Sequence, residues 1–335
     1  MTRRLARVAQ QVGVSEATVS RVLNGKPGVS EATREAVLTA LDVLGYERPT
    51  LLRGERARLV GLVIPELQNP IFPAFAEAAG GALAQHGLTA LLCTSSAGGV
   101  TESAYVDLLL QQQVSGALFA GGQYTEADAQ HDHYRLLLAR RLPTVLINAA
   151  VDGLDFPQVS CDDAVAVEQA FGHLVALGHQ HIGLLLGPED HVPSRRKLAA
   201  FRTAAERSGR DAELVENARF SLESGQATML RLLDRGVTGV ICASDPLALG
   251  AIRAARRRGL AVPDDVSIIG FDDSALMTCV DPALTTIRQP IEAMAKAAVQ
   301  LLVHQIDGGQ VRTNELLFEP ELVVRSSTSP VKVLT

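Results

Sequence analysis

In the run Gly13-Val14-Ser15-Glu16-Ala17-Thr18-Val19-Ser20-Arg21-Val22-Leu23-Asn24, the side chains of Glu16, Ala17, Ser20 and Arg21 fall opposite Val19, Val22 and Leu23 on a short helix. These are types that read base edges. Arginine can grip guanine, glutamate can accept from cytosine N4, and alanine can touch a thymine methyl. Ser15, Thr18, Ser20 and Asn24 add hydroxyl and amide groups suited to holding phosphates and setting register. A second set of polar residues stands just after apolar runs further along: Asn69, Asn148 and Asp272. Asn69 can bond a hydroxyl. An ionised Asp272 can accept two hydroxyl hydrogens, each bond about twice as strong as a neutral one.

Both sets need scaffolds. Leu5, Val8, Ala9 and Val12 form one apolar helical stripe before the first set. Gly13 ends that helix, because glycine enters the left-handed cap without penalty. Ser15 is a good N-cap for the next helix. After the turn Gly25-Lys26-Pro27-Gly28, Ser30 caps a third helix, with Glu31 placed against its dipole and Val37, Ala40, Leu41 and Leu44 inward. Two helices of an ordinary small bundle would also fit the pattern. The small Ala9 at the crossing and the spacing argue for a helix-turn-helix that enters a DNA major groove.

The segment Val14-Ser15-x-Ala17-Thr18-Val19-Ser20-Arg21-Val22-Leu23-Asn24 resembles the recognition segment of the lactose-repressor (LacI/GalR) family of bacterial transcription regulators. The resemblance runs to about residue 328. It implies an N-terminal all-α head on an α/β periplasmic-binding-protein-like core of two parallel-sheet lobes. It implies a homodimer on double-stranded operator DNA, with a small-molecule effector.

Charge supports that division. The chain has 335 residues and a net charge of −6, yet residues 1–58 carry ten Lys/Arg against six Asp/Glu, and the remainder 21 against 31. A basic head on an acidic body suits a small DNA-binding domain attached to something else. No apolar run is long enough to span a membrane. The start, Met-Thr-Arg-Arg before an amphipathic helix, is unlike a signal peptide, so a cytoplasmic protein is expected. Cys93, Cys161, Cys242 and Cys279 are scattered without paired spacing, and three of them sit in or beside apolar runs, which favours buried thiols over disulfides or a metal site.

The head is placed at residues 1–45 and a linker at 46–58. In the family such a linker becomes a hinge helix that pushes a leucine into the minor groove, and Leu51 and Leu52 are the candidates here. This linker is about three residues short of the family pattern, and Gly54 interrupts it. From Leu59, apolar runs alternate with helical stretches, which implies buried parallel sheets. Leu59–Ile64, Thr89–Cys93, Ala117–Ala120 and Thr144–Asn148 are strands of a first set, and Ile182–Gly187, Gly239–Ala243 and Val266–Phe271 of a second. The resemblance implies three crossings between lobes, near 160, 289 and 319. The first lobe is then 59–160 with 289–318, and the second 161–288 with 319–328.

A ligand between such lobes meets loops at the carboxyl ends of strands. Six loops there match family motifs. Asn69-Pro70-Ile71-Phe72 is similar to an Asn-Pro-Phe-Phe loop, with Phe72 offering a face. Asn148 stands where many sugar-responsive members carry Asp. The family's effector-gripping arginine falls on Lys197, a point donor that cannot make a bidentate fork, with Arg195 or Arg196 as substitutes. Phe220 matches an aromatic that stacks on the ligand. Ser244-Asp245 matches an Asn-Asp pair, and Gly270-Phe271-Asp272-Asp273 a Gly-Phe-Asp-Asp loop.

Taken singly, Asp272-Asp273 ends a strand, Phe220 is core, and Arg195-Arg196-Lys197 is a solvated helix start. Together, on six loops, they favour a polar cleft. Asp and Asn acceptors with one aromatic suit a neutral polyhydroxylated ligand. The basic trio keeps a sugar phosphate or a purine corepressor as the alternative. The run His191–Leu198 and the short linker resemble the actinobacterial maltose/maltodextrin branch of the family, which implies a malto-oligosaccharide and a repressor of sugar-uptake genes.

Other classes find less support. A transport-type sugar-binding protein would lack the basic head. An enzyme needs a constellation that is not found: no nucleophile elbow and no acid/base pair. A member that also senses a phosphoprotein stays open. His131-Asp132-His133 reads as a polar surface loop and His179-Gln180-His181 as a structural junction, neither a metal site. No cofactor is called for.

Overall fold

The computed structural model describes residues 2–23, 26, 28–44, 58–95, 99–149 and 153–331. Asn24, Leu51 and Leu52 lie outside them. Two compact units divide after Arg58.

In the first unit, α1 (Thr2–Val12), α2 (Glu16–Leu23) and α3 (Glu31–Val43) enclose a small core of Val8, Ala9, Val19, Val22, Val37 and Ala40. Gly13 has φ +73°, and its N–H closes α1 on the Ala9 carbonyl at 2.9 Å. The same device starts α2 and α3. Ser15 Oγ accepts from the Thr18 N–H at 3.1 Å, and Ser30 Oγ from the Thr33 N–H at 3.3 Å.

The second unit is built in order from β1 (Arg58–Ile64), α4 (Ile71–Gln85), β2 (Leu88–Thr94), α5 (Glu102–Gln111), β3 (Gly116–Ala120), α6 (Asp132–Ala139), β4 (Thr144–Ile147), β5 (Gln158–Cys161), α7 (Asp163–Ala176), β6 (Ile182–Leu186), α8 (Val192–Arg207), β7 (Val215–Asn217), α9 (Leu222–Asp234), β8 (Gly239–Cys242), α10 (Asp245–Arg257), β9 (Ser267–Asp272), β10 (Thr285–Arg288), α11 (Ile291–Ile306), β11 (Glu315–Phe318) and β12 (Glu321–Val323). They make two six-stranded sheets, ordered β11-β5-β4-β3-β1-β2 and β12-β10-β9-β8-β6-β7. The inner strands are parallel, whereas β12 runs antiparallel to β10. The chain leaves the first sheet after Cys161, returns to it after Arg288, and leaves it again between Phe318 and Glu321.

Strand β1 shows why both faces must be covered. Val60, Leu62 and Ile64 pack into one core, and Val63 into another on the opposite face. Gly61 shares that second face, where a Cβ would lie 2.6 Å from the Leu109 side chain of α5. Glycine is therefore what lets α5 seat on the sheet.

The short strands β5, β7 and β10 have no apolar signature. Gln158, Ser160, Thr285 and Thr286 are buried polar residues, and part of their burial is met by side-chain bonds such as Thr286 to Asp245 at 2.7 Å. Among the described residues no helix is long and apolar enough to cross a membrane.

One expectation is overturned here. His131-Asp132-His133 is not a polar surface loop. His131 is buried, Asp132 opens α6, and His133 Nε2 lies 3.0 Å from the buried Glu102 carboxylate, which also accepts from Tyr134 OH. Apolar Tyr134 and Leu137 draw this helix onto the first sheet.

Candidate functional site

A cavity of about 280 Å³ lies where the carboxyl ends of both sheets meet. From the first lobe come Asn69 and Phe72 after β1, Gly121, Gly122, Thr125 and Glu126 after β3, and Asn148 after β4. The second lobe supplies His191 and Lys197 after β6, Phe220 after β7, Ser244 after β8 and Asp272 at the end of β9. Gln289, in the segment returning to the first lobe, completes it.

The polar groups are tied together. Gln289 Nε2 donates to Asp272 Oδ1 at 2.7 Å, and Gln289 Oε1 accepts from Asn148 Nδ2 at 3.2 Å. Asn148 Oδ1 accepts from the Cys161 N–H at 3.1 Å. Asn148 and Asp272 hold positive φ values of +66° and +117°, backbone states that persist only when surroundings impose them. Burial and the nearby Asp245 carboxylate push the Asp272 carboxyl well above the usual range, outweighing Gln289, Lys197 and Asn69, which favour its charged form.

Lys197 is buried, pairs with the buried Asp163 carboxylate, and stands 4.0 Å over the Phe271 ring. Burial raises Asp163 in spite of that partner. Phe220 lies against the backbone of Gly187, where a Cβ would come within 2.1 Å of the ring, and meets the His191 ring edge-on at 5.1 Å. His191, the first residue of the run that resembles the maltose branch, is not among the expected ligand contacts. Burial, with Lys197 nearby, lowers its pKa to about 3, so the cleft sees a neutral imidazole bonded to Ser194 Oγ at 3.0 Å.

Three expected effector contacts change. Arg195 does not line the cavity; half-exposed, it donates to Asp128 Oδ2 at 3.0 Å. Its alternate, Arg196, turns to Glu315 with a two-pronged pair at 2.8 and 3.0 Å. The cause is helical. α8 begins at Val192, so three consecutive residues point in directions about 100° apart and only Lys197 faces inward. Asp245 is fully buried behind the wall, where it accepts from the Ser274 N–H and Thr286 hydroxyl, both at 2.7 Å. Burial raises its pKa to about 6. Ser244 does line the cavity, but its hydroxyl also caps α10, accepting from the Leu247 N–H at 3.3 Å.

Gln289 also went unnoticed in the sequence. It follows a short strand without apolar signature, and nothing local separates it from an ordinary loop glutamine. The described lining carries Glu66, Glu126, Asp163, Asp190 and Asp272 against the single ammonium of Lys197. Desolvation raises Glu66 and Glu126, and Asp190 adds to the effect on Glu126.

On the head, Ser15, Glu16, Ala17 and Arg21 are exposed and Thr18 and Ser20 half-buried, while Val19 and Val22 face the core. The Ser15 and Thr18 hydroxyls are within 2.9 Å of each other.

Comparison with known proteins places this geometry. Residues 4–49 match the model for bacterial regulatory proteins of the lacI family, and residues 171–328 that for a periplasmic binding protein-like domain. The chain is 51% identical to the HTH-type transcriptional regulator reg1 of Streptomyces lividans, across 98% of this chain and 97% of that protein. It is 50% identical to the HTH-type transcriptional regulator MalR of Streptomyces coelicolor, across 98% and 97%. Among solved structures, a transcriptional regulator CelR–cellobiose complex superposes with a TM-score of 0.74 at 33% identity, covering 96% of this chain and 99% of that one. The chain belongs to the lacI family of bacterial regulatory proteins and is a helix-turn-helix transcriptional regulator.

Proposed function

We propose that the protein is a dimeric operator-binding repressor of sugar-uptake genes, released by a neutral oligosaccharide, with malto-oligosaccharides first in line. The observation that carries the choice of ligand is the splitting of the basic trio. Arg195 and Arg196 are spent on Asp128 and Glu315, and Lys197 is already matched by Asp163. A phosphorylated ligand wants a denser cationic cluster, whereas this lining has more carboxyls than cations. Such acceptors suit hydroxyl donors. Asn69, Asn148, Gln289 and Asp272 supply the polar contacts, Lys197 and Ser244 further donors, and Phe72 and Phe220 the flat faces that sugar C–H surfaces prefer. The kinship with MalR and the cellobiose-bound neighbour support the same class of ligand.

On DNA, Glu16, Ala17 and Arg21 read bases while Ser15, Thr18 and Ser20 hold phosphates. Asn24 is assigned to phosphate by its amide side chain, and Leu51 or Leu52 to the minor groove by family resemblance. Two heads of a dimer match two half-sites of a near-palindrome. A sugar that prefers one arrangement of the lobes shifts operator affinity by that preference, and the operator shifts sugar affinity equally.

The test is operator anisotropy with and without maltose, maltotriose, cellobiose, glucose 6-phosphate and purine bases, with calorimetry for direct binding. Release by maltotriose, without response to phosphates or purines, is expected. A response confined to the phosphorylated or purine ligands would overturn the neutral-sugar reading.

A further inference from the structure

We infer that Asp128 and Arg195 are positioning residues, forming a clasp that draws the two lobes together across the cleft without touching the ligand. A segment between β3 and α6 reaches from one lobe to the other. Its root is fixed to the first lobe. Glu102 Oε2 accepts from the Gln123 N–H at 3.2 Å, and His131 Nε2 lies 3.1 Å from the Gln123 carbonyl. Gly122, at φ +123°, leaves room for that carboxylate: a Cβ there would meet Glu102 Oε2 at 2.1 Å. Thr125 Oγ1 donates to the Gly122 carbonyl at 2.6 Å, closing a single helical turn over residues 123–125.

The tip of this braced segment belongs to the other lobe's hydrogen-bond network. The Ala127 N–H donates to the Asp190 carbonyl at 2.9 Å, and Glu126 pairs with His191 as an antiparallel bridge. Outside that pairing, Arg195 Nη2 donates to Asp128 Oδ2 at 3.0 Å, and Arg195 Nε to the Glu189 carbonyl at 2.9 Å. One guanidinium thus grips both lobes. Thr125, Glu126, Asp190 and His191 line the cleft, whereas Asp128 and Arg195 do not. The clasp therefore acts on the ligand only by holding those four in place.

An exposed ion pair by itself contributes little. Here the pair stands over a main-chain pairing that exists only while the lobes are together, so breaking it shifts a closed–open equilibrium. A ligand's apparent affinity falls with the fraction of protein in the competent state. The two arginines that look like ligand contacts in the sequence are then divided: Arg195 belongs to closure, Arg196 to Glu315.

The ligand dependence rests on the proposed sugar reading; the clasp itself does not. The test uses the full chain with Asp128→Arg, Arg195→Asp and the doubly swapped protein. Amide hydrogen exchange of peptides spanning Ala127 is followed without ligand, and maltotriose binding by calorimetry. Each single variant should exchange faster there and bind maltotriose about fivefold more weakly. The swapped protein should regain both. Equal exchange in all four proteins, or faster exchange with unaltered affinity, overturns the inference. If the parent binds none of the neutral sugars tested, the sugar reading fails, and the exchange series by itself decides the clasp.

Discussion

Gln289 donates its side-chain amide to Asp272 at 2.7 Å from the segment where the chain leaves the second sheet for the first. The same amide accepts from Asn148 at 3.2 Å, so one side chain links strand ends of both lobes. Gln289→Leu would remove the partner of Asp272 Oδ1 and of the Asn148 side-chain amide N–H. We expect maltotriose affinity to fall by about 1–3 kcal/mol, tenfold or more, with the fold retained. Calorimetry beside a circular-dichroism melt checks this, and unchanged affinity would remove Asp272 from the sugar contacts.

Gly187→Ala should act through Phe220. The added methyl would lie 2.1 Å from the ring and push it off its seat beside His191. Sugar binding should be lost or weakened at least tenfold, while operator binding without sugar persists. If calorimetry shows parent-like affinity, Phe220 is not the stacking face.

Lys197→Met should destabilise the core by about 3–5 kcal/mol, because it strands the Asp163 carboxylate in the interior. Lys197→Met with Asp163→Asn should recover most of that loss. Urea unfolding separates the outcomes. A single variant as stable as the double would show that Asp163 readily takes up a proton when unpaired.

Asp245 offers a pH test. Its pKa rises from 3.8 to about 6 on folding, chiefly through burial. A carboxyl raised in this way favours folding most below pH 3.8 and loses that contribution as pH climbs through about 6. Asp245→Asn stays neutral throughout, and its amide can donate to Thr286 while its oxygen accepts from the Ser274 N–H. The melting temperature of the variant should therefore gain on the parent by a few °C between pH 4 and 7. A gap constant with pH would contradict the assignment.

On the head, Arg21→Ala should weaken binding to a specific operator by about 1–3 kcal/mol and much less on random DNA. Equal losses on both, measured by anisotropy, would make Arg21 a phosphate contact.

The sequence by itself determined the elements whose cause is local. Ser15 and Ser30 cap helices because a hydroxyl at the residue before a helix reaches the N–H three residues on, and Gly13 ends α1 because its φ of +73° costs glycine nothing. The apolar runs of β1, β3, β6, β8 and β9 are buried on both faces, so their strands were plain. Asn69, Phe72, Asn148, Lys197, Phe220, Ser244 and Asp272 stood at strand ends, and tertiary structure gathers them around one cavity.

What the tertiary structure alone decided are facts of direction and partnership. Arg195, Arg196 and Lys197 are consecutive and alike in charge, and only the phase of α8 sends one inward and two away. Asp245 differs from Asp272 in lying one layer deeper, which no spacing records. Strands β5, β7 and β10 carry too few apolar residues to announce themselves, β11 and β12 are apolar but only four and three residues long, and all form because a neighbouring strand offers a ladder. Gln289 pairs with Asn148, 141 residues away, and Asp128 with Arg195, 67 away. Periodicity reports which way a side chain faces within its own element. Contacts over such separations depend on how elements stack, and that is set by the packing of the two cores.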